Sequence, residues 1–256
     1  EAIRSAVIES VWPLEVSFFV EANTSVPEAI LRLIDTCASD EACDTAYPNL
    51  KDVLFETIDR LNDEPVPITV AHPVTGQSYD VLLTGDAVRG NMVSALYLTP
   101  LIPALPQAIY DVYNGDYGLM TQLTSQKLLF YEAMSRGMEY SVICAEDLIE
   151  RTPEDVLDIV MALPEQLRSD VEEELAIEYG IFGICENWPV DRAEPSFKDP
   201  LVSDIPTLIL EGELDPVTPP EYGRRVAGNL SNVYFFEFPG CGHAGESTSE
   251  CALSIT

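Results

Sequence analysis

Two short apolar runs near the end of the chain constrain the fold more than any other feature. Residues 207–212 read Thr-Leu-Ile-Leu-Glu-Gly and residues 233–238 read Val-Tyr-Phe-Phe-Glu-Phe. A Gly/Pro-rich turn follows each run and presents one polar residue, first Asp215 and then His243. Apolar runs of this length between turn residues predict buried strands, and an α/β sheet carries its functional side chains at the carboxyl ends of its strands. The sequence therefore predicts an α/β fold with both residues at one sheet edge.

Most of the chain before these strands has helical periodicity. Residues 3–11 predict an opening strand, and a long helical region follows from residue 13 to residue 191. Pro27 is predicted in the first turn of a helix, and Thr84 and Thr152 are predicted as helix caps. The remaining predicted helices are one with an apolar face at residues 50–61, two at about 101–113 and 117–138, and one at about 165–181. A β-hairpin is predicted at 66–83 with His72 on the surface, and a short strand at 140–144.

The charge of the chain argues against several classes of partner. Asp and Glu number 44 against 13 Lys and Arg, so the formal net charge is −31. Such a surface repels polyphosphate, and neither nucleic-acid binding nor binding to anionic membranes is expected. No apolar run reaches the ~20 residues that cross a bilayer, so no membrane span is expected. Hydrophobic residues make up 46% of the 256 residues, which is ample for a packed core.

Asp215 and His243 have the residue types and the order of a hydrolytic triad. A histidine can take the proton of a serine, and an acid can fix the tautomer of that histidine and stabilise its protonated form. Acid first and histidine last is the chain order in α/β-hydrolases. Taken singly, Asp215 could be a helix cap and His243 an ordinary loop histidine. Their pairing at two successive strand ends favours catalysis.

The segment from Pro206 to Cys251 resembles the C-terminal part of the tripeptidyl and prolyl aminopeptidases, a family of serine α/β-hydrolases. The resemblance implies a partial α/β-hydrolase fold in which residues 3–11, 208–211 and 233–238 are the last three core strands. Residues 1–12 and 192–256 would then belong to the core, and residues 13–191 would form a large, mostly helical cap. The first five strands are expected upstream, in a missing N-terminal core segment of the same protein.

Six cysteines lie along the chain in three suggestive pairs. Spacing alone permits many connectivities, and the resemblance implies the bridges Cys37–Cys43, Cys144–Cys185 and Cys241–Cys251. Zinc is the competing interpretation, but a histidine beside a cysteine without a C-x-x-C pair is a poor ligand set. We therefore expect no metal and no cofactor, and a secreted or extracytoplasmic protein.

An exopeptidase of this type would need to bind peptide substrates by their free N-terminus. A protonated amine calls for carboxylates in an otherwise apolar pocket of the cap. The expected bridge between Cys144 and Cys185 would bring candidate groups together, and the predicted substrate contacts are Glu146, Asp147, Glu186 and Trp188. The alternative for these carboxylates is that they are ordinary solvated acids among 44.

The chain contains no G-x-S-x-G motif, which marks the nucleophile of an α/β-hydrolase. The nucleophilic serine is therefore expected upstream, and this piece alone is expected to be inactive. The leading prediction is a part of a secreted serine aminopeptidase that releases short peptides or proline-containing residues. An esterase or lipase-like hydrolase on the same scaffold, and a binding protein that has lost its nucleophile, are the alternatives.

Overall fold

The three segments predicted as core strands pair into one parallel sheet in a computed structural model of the protein, which describes residues 3–168, 180–245 and 250–255. The strands are β1 (Ala6–Glu9), β4 (Thr207–Gly212) and β5 (Val233–Phe238). Their order is β1-β4-β5, and the register aligns Ile8 with Ile209 and Phe235. Among the described strands β1 pairs with β4 alone, so β1 lies at an edge of this sheet.

Both faces of this sheet carry apolar side chains. On one face Ile209 is buried with Val226 of α10 (Pro220–Ala227) and with Leu230, which follows that helix. On the other face Leu210 and Phe238 pack with Ala252 of α11 (Glu250–Leu253). A fully buried side chain of this size contributes about 1.5–3 kcal/mol to stability, so these contacts hold the sheet and its two flanking helices together. Large side chains that stay exposed on the second face are Val7, Tyr234 and Phe236.

The chain divides into two compact units, one of residues 1–28 and 135–256 and the other of residues 29–134. The boundary falls inside α1 (Phe18–Ser39), between Glu28 and Ala29. The second unit lies wholly within the residue range predicted for the cap. Residues 13–28 and 135–191, which were also predicted as cap, group with the sheet.

Pro27 lies inside α1 and not in the first turn of a helix, so that prediction is wrong. The helix begins nine residues earlier, at Phe18. Its first backbone N–H groups are bound by the side chain of Asp147, which accepts from Phe18 at 2.6 Å and from Phe19 at 2.9 Å. A proline signal is local, whereas this cap comes from a residue far along the chain. The helix therefore starts where the distant carboxylate fixes it.

The first unit continues with short helices after residue 135. They are α7 (Arg136–Val142), a π-helical turn (Ile143–Asp147), α8 (Pro153–Met161) and α9 (Ile181–Asn187). The strand predicted at residues 140–144 is wrong, because this segment is helical and its apolar residues pack into a cluster with α9. The capping box predicted at Thr152 is confirmed. The helix predicted at about 165–181 lies mainly outside the described residues.

The second unit contains helices and one hairpin. Its elements are α2 (Glu41–Ala46), α3 (Leu50–Asp63), β2 (Val66–Ala71), β3 (Ser78–Leu83), α4 (Gly85–Leu96), a 3-10 turn (Thr99–Ala104), α5 (Leu105–Tyr113) and α6 (Gly118–Ala133). The hairpin is antiparallel as predicted, and Thr84 caps α4 by accepting from the backbone of Ala87 at 3.0 Å. The apolar face predicted for α3 is buried at Leu54, Ile58 and Leu61. In the described part of the chain, no helix combines the length and hydropathy needed to cross a membrane.

His72 is buried and not on the surface, so that prediction is wrong. Its Nδ1 accepts hydrogen bonds from the backbone of Val74 and Thr75, each at 3.2 Å, within the hairpin turn. Its Nε2 lies 3.1 Å from the carboxylate of Glu132 on α6. The imidazole thus joins the hairpin to a helix, and its proton is assigned to Nε2.

Lys127 on α6 is partly buried beside a second basic residue, Arg89, although the protein is strongly acidic. Its Nζ lies over Gly90 of α4, where a Cβ would be 2.8 Å away. Burial, and secondarily the neighbouring Arg89 guanidinium, lower the pKa of Lys127 from 10.5 to about 8. The guanidinium of Arg89 itself is paired with Asp86 at 3.2 Å. Two positive charges therefore lie close together between α4 and α6.

Replacing Lys127 by Met is expected to stabilise the protein at pH 7. The folded-state pKa lies below the ordinary value, so the unfolded chain binds the proton more tightly and the charge opposes folding. Removal of the charge should raise the free energy of unfolding by about 1–3 kcal/mol. The gain should shrink as the pH rises from about 8 towards 10.5. Thermal unfolding of Lys127→Met measures it.

The control is Lys51→Met, since Lys51 is exposed on α3. An equal effect of both substitutions, or no pH dependence of the difference between them, would refute the assignment of a destabilising charge to Lys127.

Candidate active site

Asp215 follows the end of β4 and is completely buried. Its Oδ1 accepts hydrogen bonds from the backbone of Val217 at 2.8 Å and of Thr218 at 2.9 Å. Its Oδ2 accepts from the hydroxyls of Thr218 at 2.7 Å and Ser10 at 3.0 Å. A buried carboxylate is tolerated only when it is bonded in this way. The stiff sequence Asp-Pro-Val-Thr-Pro-Pro holds the turn, because its prolines fix their own φ angles.

His243 lies in the turn after β5 and contacts the same carboxylate. Its Nδ1 lies 2.9 Å from Asp215 Oδ2 and 3.2 Å from the hydroxyl oxygen of Thr218. The acceptor at Nδ1 assigns the proton of the neutral ring to that nitrogen. The side chain is 28% exposed, in contrast with the fully buried aspartate. With its proton on Nδ1, the ring has Nε2 as the nitrogen that can take up a proton.

The two turns that carry this pair are joined by their backbones. Leu214 N donates to Cys241 O at 2.8 Å, and Glu213 N donates to Phe238 O at 3.1 Å. At Gly212 a Cβ would lie only 2.2 Å from the carbonyl oxygen of Gly242, so only glycine permits the approach. The distance between Asp215 and His243 is therefore set by the backbone as well as by their own hydrogen bond.

Ser10 was not predicted to belong to the site. It follows β1 with φ +50°, an uncommon conformation for a residue with a Cβ. Its Oγ donates to Asp215 and accepts from the backbone N–H of Ala244 at 2.8 Å. Ala244 is also in the left-handed region, with φ +48°. The segment after β1 thus adds a third side chain to the pair that the segments after β4 and β5 form.

A second buried carboxylate, Glu211, lies on β4 beside the site. It is fully buried, and its Oε1 accepts from the backbone of Val11 at 3.2 Å. A Cβ at Gly223 of α10 would lie 2.4 Å from the same oxygen. The absence of a side chain at that position gives the carboxylate its space. Glu211 connects the end of β1 to the strand that carries Asp215.

The four predicted substrate contacts lie around the bridge between Cys144 and Cys185. The structure contains this disulfide and a second one between Cys37 and Cys43. Trp188 donates from Nε1 to the hydroxyl of Ser141 at 3.1 Å and packs on the ring of Tyr140. Glu146 is partly buried and Glu186 is exposed. Trp188 also packs against the apolar cluster that contains this bridge.

Asp147 has a structural function in this arrangement. Besides the two backbone groups of α1, it accepts from the hydroxyl of Ser17 at 3.0 Å, and the ammonium of Lys198 lies 3.8 Å away. These contacts use both carboxylate oxygens. They favour a helix cap over a substrate contact for Asp147.

Glu21, one turn into α1, is a further partly buried carboxylate, which the sequence did not single out. Its Oε1 pairs with Arg151 at 3.5 Å. Its Oε2 is inaccessible to solvent and has no hydrogen-bond partner among the described residues. Burial raises the pKa of Glu21 above its ordinary value, and Arg151 opposes that effect. Nearby in sequence, Ser25 lies 3.2 Å from the hydroxyl of Tyr222, and burial raises the pKa of that tyrosine to about 12.

The third expected bridge, Cys241–Cys251, is not formed in the structure. Cys241 is buried with Leu210 and Phe238, and the residue of α11 that packs in this cluster is Ala252. The neighbouring Cys251 is exposed. Adjacent residues on a helix point in different directions, which explains why one contacts the cluster and the other does not.

A parallel sheet whose neighbouring strands deliver a buried aspartate and then a histidine has the chain order and placement of an α/β-hydrolase site. Residues 177–256 match a family of α/β-hydrolases described as TAP-like protein. The match supports a TAP-like α/β-hydrolase, and thus a hydrolase as the class of protein. No curated protein matches the chain. Among the described residues, no three His, Cys, Asp or Glu side chains form a group that could hold a metal ion.

Gly212→Ala is expected to destabilise the protein by about 1–3 kcal/mol, because the added methyl would overlap the carbonyl of Gly242 and force the two turns apart. Thermal unfolding measures the loss. Gly228→Ala is the matched control, since a Cβ there would meet Arg225 O at an ordinary 3.4 Å. A loss at Gly212 no larger than that at Gly228 would contradict the close approach of the turns.

Proposed function

We propose that this chain supplies the acid and the base of a Ser-His-Asp triad in a secreted serine aminopeptidase, with Asp215 as the acid and His243 as the base. The contact between His243 Nδ1 and Asp215 Oδ2 at 2.9 Å is the observation that carries the proposal. It gives the histidine the orientation and tautomer that a general base requires. The nucleophilic serine is proposed to lie outside these 256 residues.

In the proposed reaction His243 accepts the proton of the attacking serine at Nε2 and later delivers it to the leaving amine. Asp215 stays ionised and stabilises the imidazolium that forms between the two steps. The five hydrogen bonds to its carboxylate keep it in place during this exchange. An acyl-enzyme on the serine is then hydrolysed by water, with His243 again as base.

The proposed substrates are peptides with a free N-terminus. A protonated α-amine is best held by a carboxylate that is partly withdrawn from water. Glu21 has these properties, because its Oε2 is buried and has no hydrogen-bond partner among the described residues. Glu146 and Glu186 remain proposed contacts, and Trp188 offers an aromatic surface. An ammonium near Glu21 would supply the missing donor and favour the ionised carboxylate.

Secretion is proposed from the cysteines. The disulfides Cys37–Cys43 and Cys144–Cys185 are compatible with an oxidising compartment. The proposal also agrees with the strongly acidic composition, since a large net charge keeps a protein soluble.

Fluorophosphonate labelling of the full-length protein is expected to modify one serine, located by peptide mass, and His243→Ala is expected to abolish the labelling because the serine loses its base. Labelling that survives the substitution would contradict the function of His243 as base. Absence of labelling in folded wild-type protein would favour a binding protein on a hydrolase scaffold.

Substrate class is tested on the unlabelled full-length enzyme with tripeptidyl and aminoacyl amides against short acyl esters. Cleavage of the amides, lost when their amino group is acetylated, is expected of an aminopeptidase. Cleavage of the esters alone would instead indicate an esterase.

Glu21→Gln is expected to raise KM for amide substrates with a free amine by roughly 10-fold or more, because a charge-assisted contact of about 1.5–3 kcal/mol is lost. Short acyl esters without an amine should be cleaved at the wild-type rate. The matched control is Glu28→Gln, on an exposed residue of the same helix. Parallel losses for amine-bearing and amine-free substrates would show that Glu21 does not bind the amine.

A further inference from the structure

The hydroxyl of Ser10, which follows β1, contacts the segments that follow the other two strands of the parallel sheet. Ser10 follows β1, Asp215 follows β4 and Ala244 follows β5 together with His243. The hydroxyl donates to Asp215 Oδ2 at 3.0 Å and accepts from Ala244 N at 2.8 Å. One oxygen thus connects the acid to the backbone immediately after the histidine.

The backbone around this contact is held in an uncommon conformation at both ends. Ser10 has φ +50° and Ala244 has φ +48°. A non-glycine residue in this region costs about 1–3 kcal/mol and persists only where the surrounding contacts fix it. Both residues lie at the site and face each other across one hydrogen bond. Their hydrogen bond is therefore a defined feature of the two turns.

We propose that Ser10 is a positioning residue for the catalytic pair: its hydroxyl fixes the turn that carries His243 relative to the carboxylate of Asp215. This inference rests on the proposed function of the pair. The proton of the Ser10 hydroxyl is directed to the acid and its oxygen accepts from Ala244, so Ser10 acts through these neighbours and is not a nucleophile. Thr218 contacts both Asp215 and the ring of His243 from within the turn of the acid. Ser10 differs because it comes from the segment after β1 and joins the acid to the backbone of the histidine turn.

Ser10→Gly is the sharpest substitution, because it removes the hydroxyl together with its Cβ and glycine accepts a positive φ without strain. The fold should therefore survive, and any effect reports the lost hydrogen bonds. In full-length protein, kcat is expected to fall roughly 10- to 100-fold, since a small misplacement of a catalytic group has effects of that size. KM should stay within about twofold, because Ser10 does not bind substrate.

The matched control is Ser5→Gly, the same chemical change at an exposed residue before β1. Its kcat should equal that of the wild type. Ser10→Cys is the second variant, since it keeps the Cβ and a heteroatom on it, but the larger thiol makes weak hydrogen bonds. It should lower kcat in the same direction and keeps the proposal testable should Ser10→Gly fail to fold.

A magnetic resonance measurement separates this inference from the proposed function. The chain has only two histidines. Their neutral tautomers differ, with the proton on Nδ1 in His243 and on Nε2 in His72. Histidine labelled with 15N in the full-length protein should show both, and Ser10→Gly should reduce the Nδ1–H population of His243 or shift its proton signal. The signal of His72 should not change.

The outcomes are distinct. Loss of kcat together with a changed His243 signal supports the positioning function of Ser10. Unchanged kcat and an unchanged signal in folded Ser10→Gly or Ser10→Cys overturns it. If the wild-type protein hydrolyses nothing, the proposed function fails, and the His243 signal in the same two variants still decides whether Ser10 positions the histidine.

Discussion

The buried carboxylate of Asp215 holds together the segments that follow the three strands of the parallel sheet. It accepts two backbone N–H groups of its own turn, two hydroxyls and the imidazole of His243. Hydrogen bonds to a charged group contribute about 1.5–3 kcal/mol each, and a buried charge without them would be strongly destabilising. The donors come from segments that follow β1, β4 and β5. A single charge thus fixes the relative positions of three chain segments that are remote in sequence.

A similar use of a buried carboxylate recurs in the helical part of the first unit. Asp147 binds the start of α1 through Phe18, Phe19 and Ser17, which lie about 130 residues earlier. Glu211 binds the backbone of Val11 in the same manner. In an acid-rich chain, most carboxylates stay in water and contribute little to stability. Asp147 and Glu211 instead accept from backbone groups of distant segments, and they determine where α1 begins and how β1 ends.

Local patterns were sufficient to predict the sheet and the pair of residues at its edge. β4 and β5 are short apolar runs that end at or next to glycine or proline, and Asp215 and His243 are polar residues in the turns after them. Thr218 could have been found from its place three residues after the acid, where its hydroxyl and N–H can bind the aspartate. Ser10 could not, because its partner lies 205 residues away. Pro27, His72 and residues 140–144 were misread for the same reason: distant contacts override their local signals.

The close approach of Gly212 to Gly242 has a consequence for motion. The turn of the acid and the turn of the base are in backbone contact and are further joined through Leu214 and Cys241. A displacement of one turn would have to carry the other with it, because their backbones are in contact. In the proposed enzyme, any opening that admits a substrate would therefore come from segments other than these two turns.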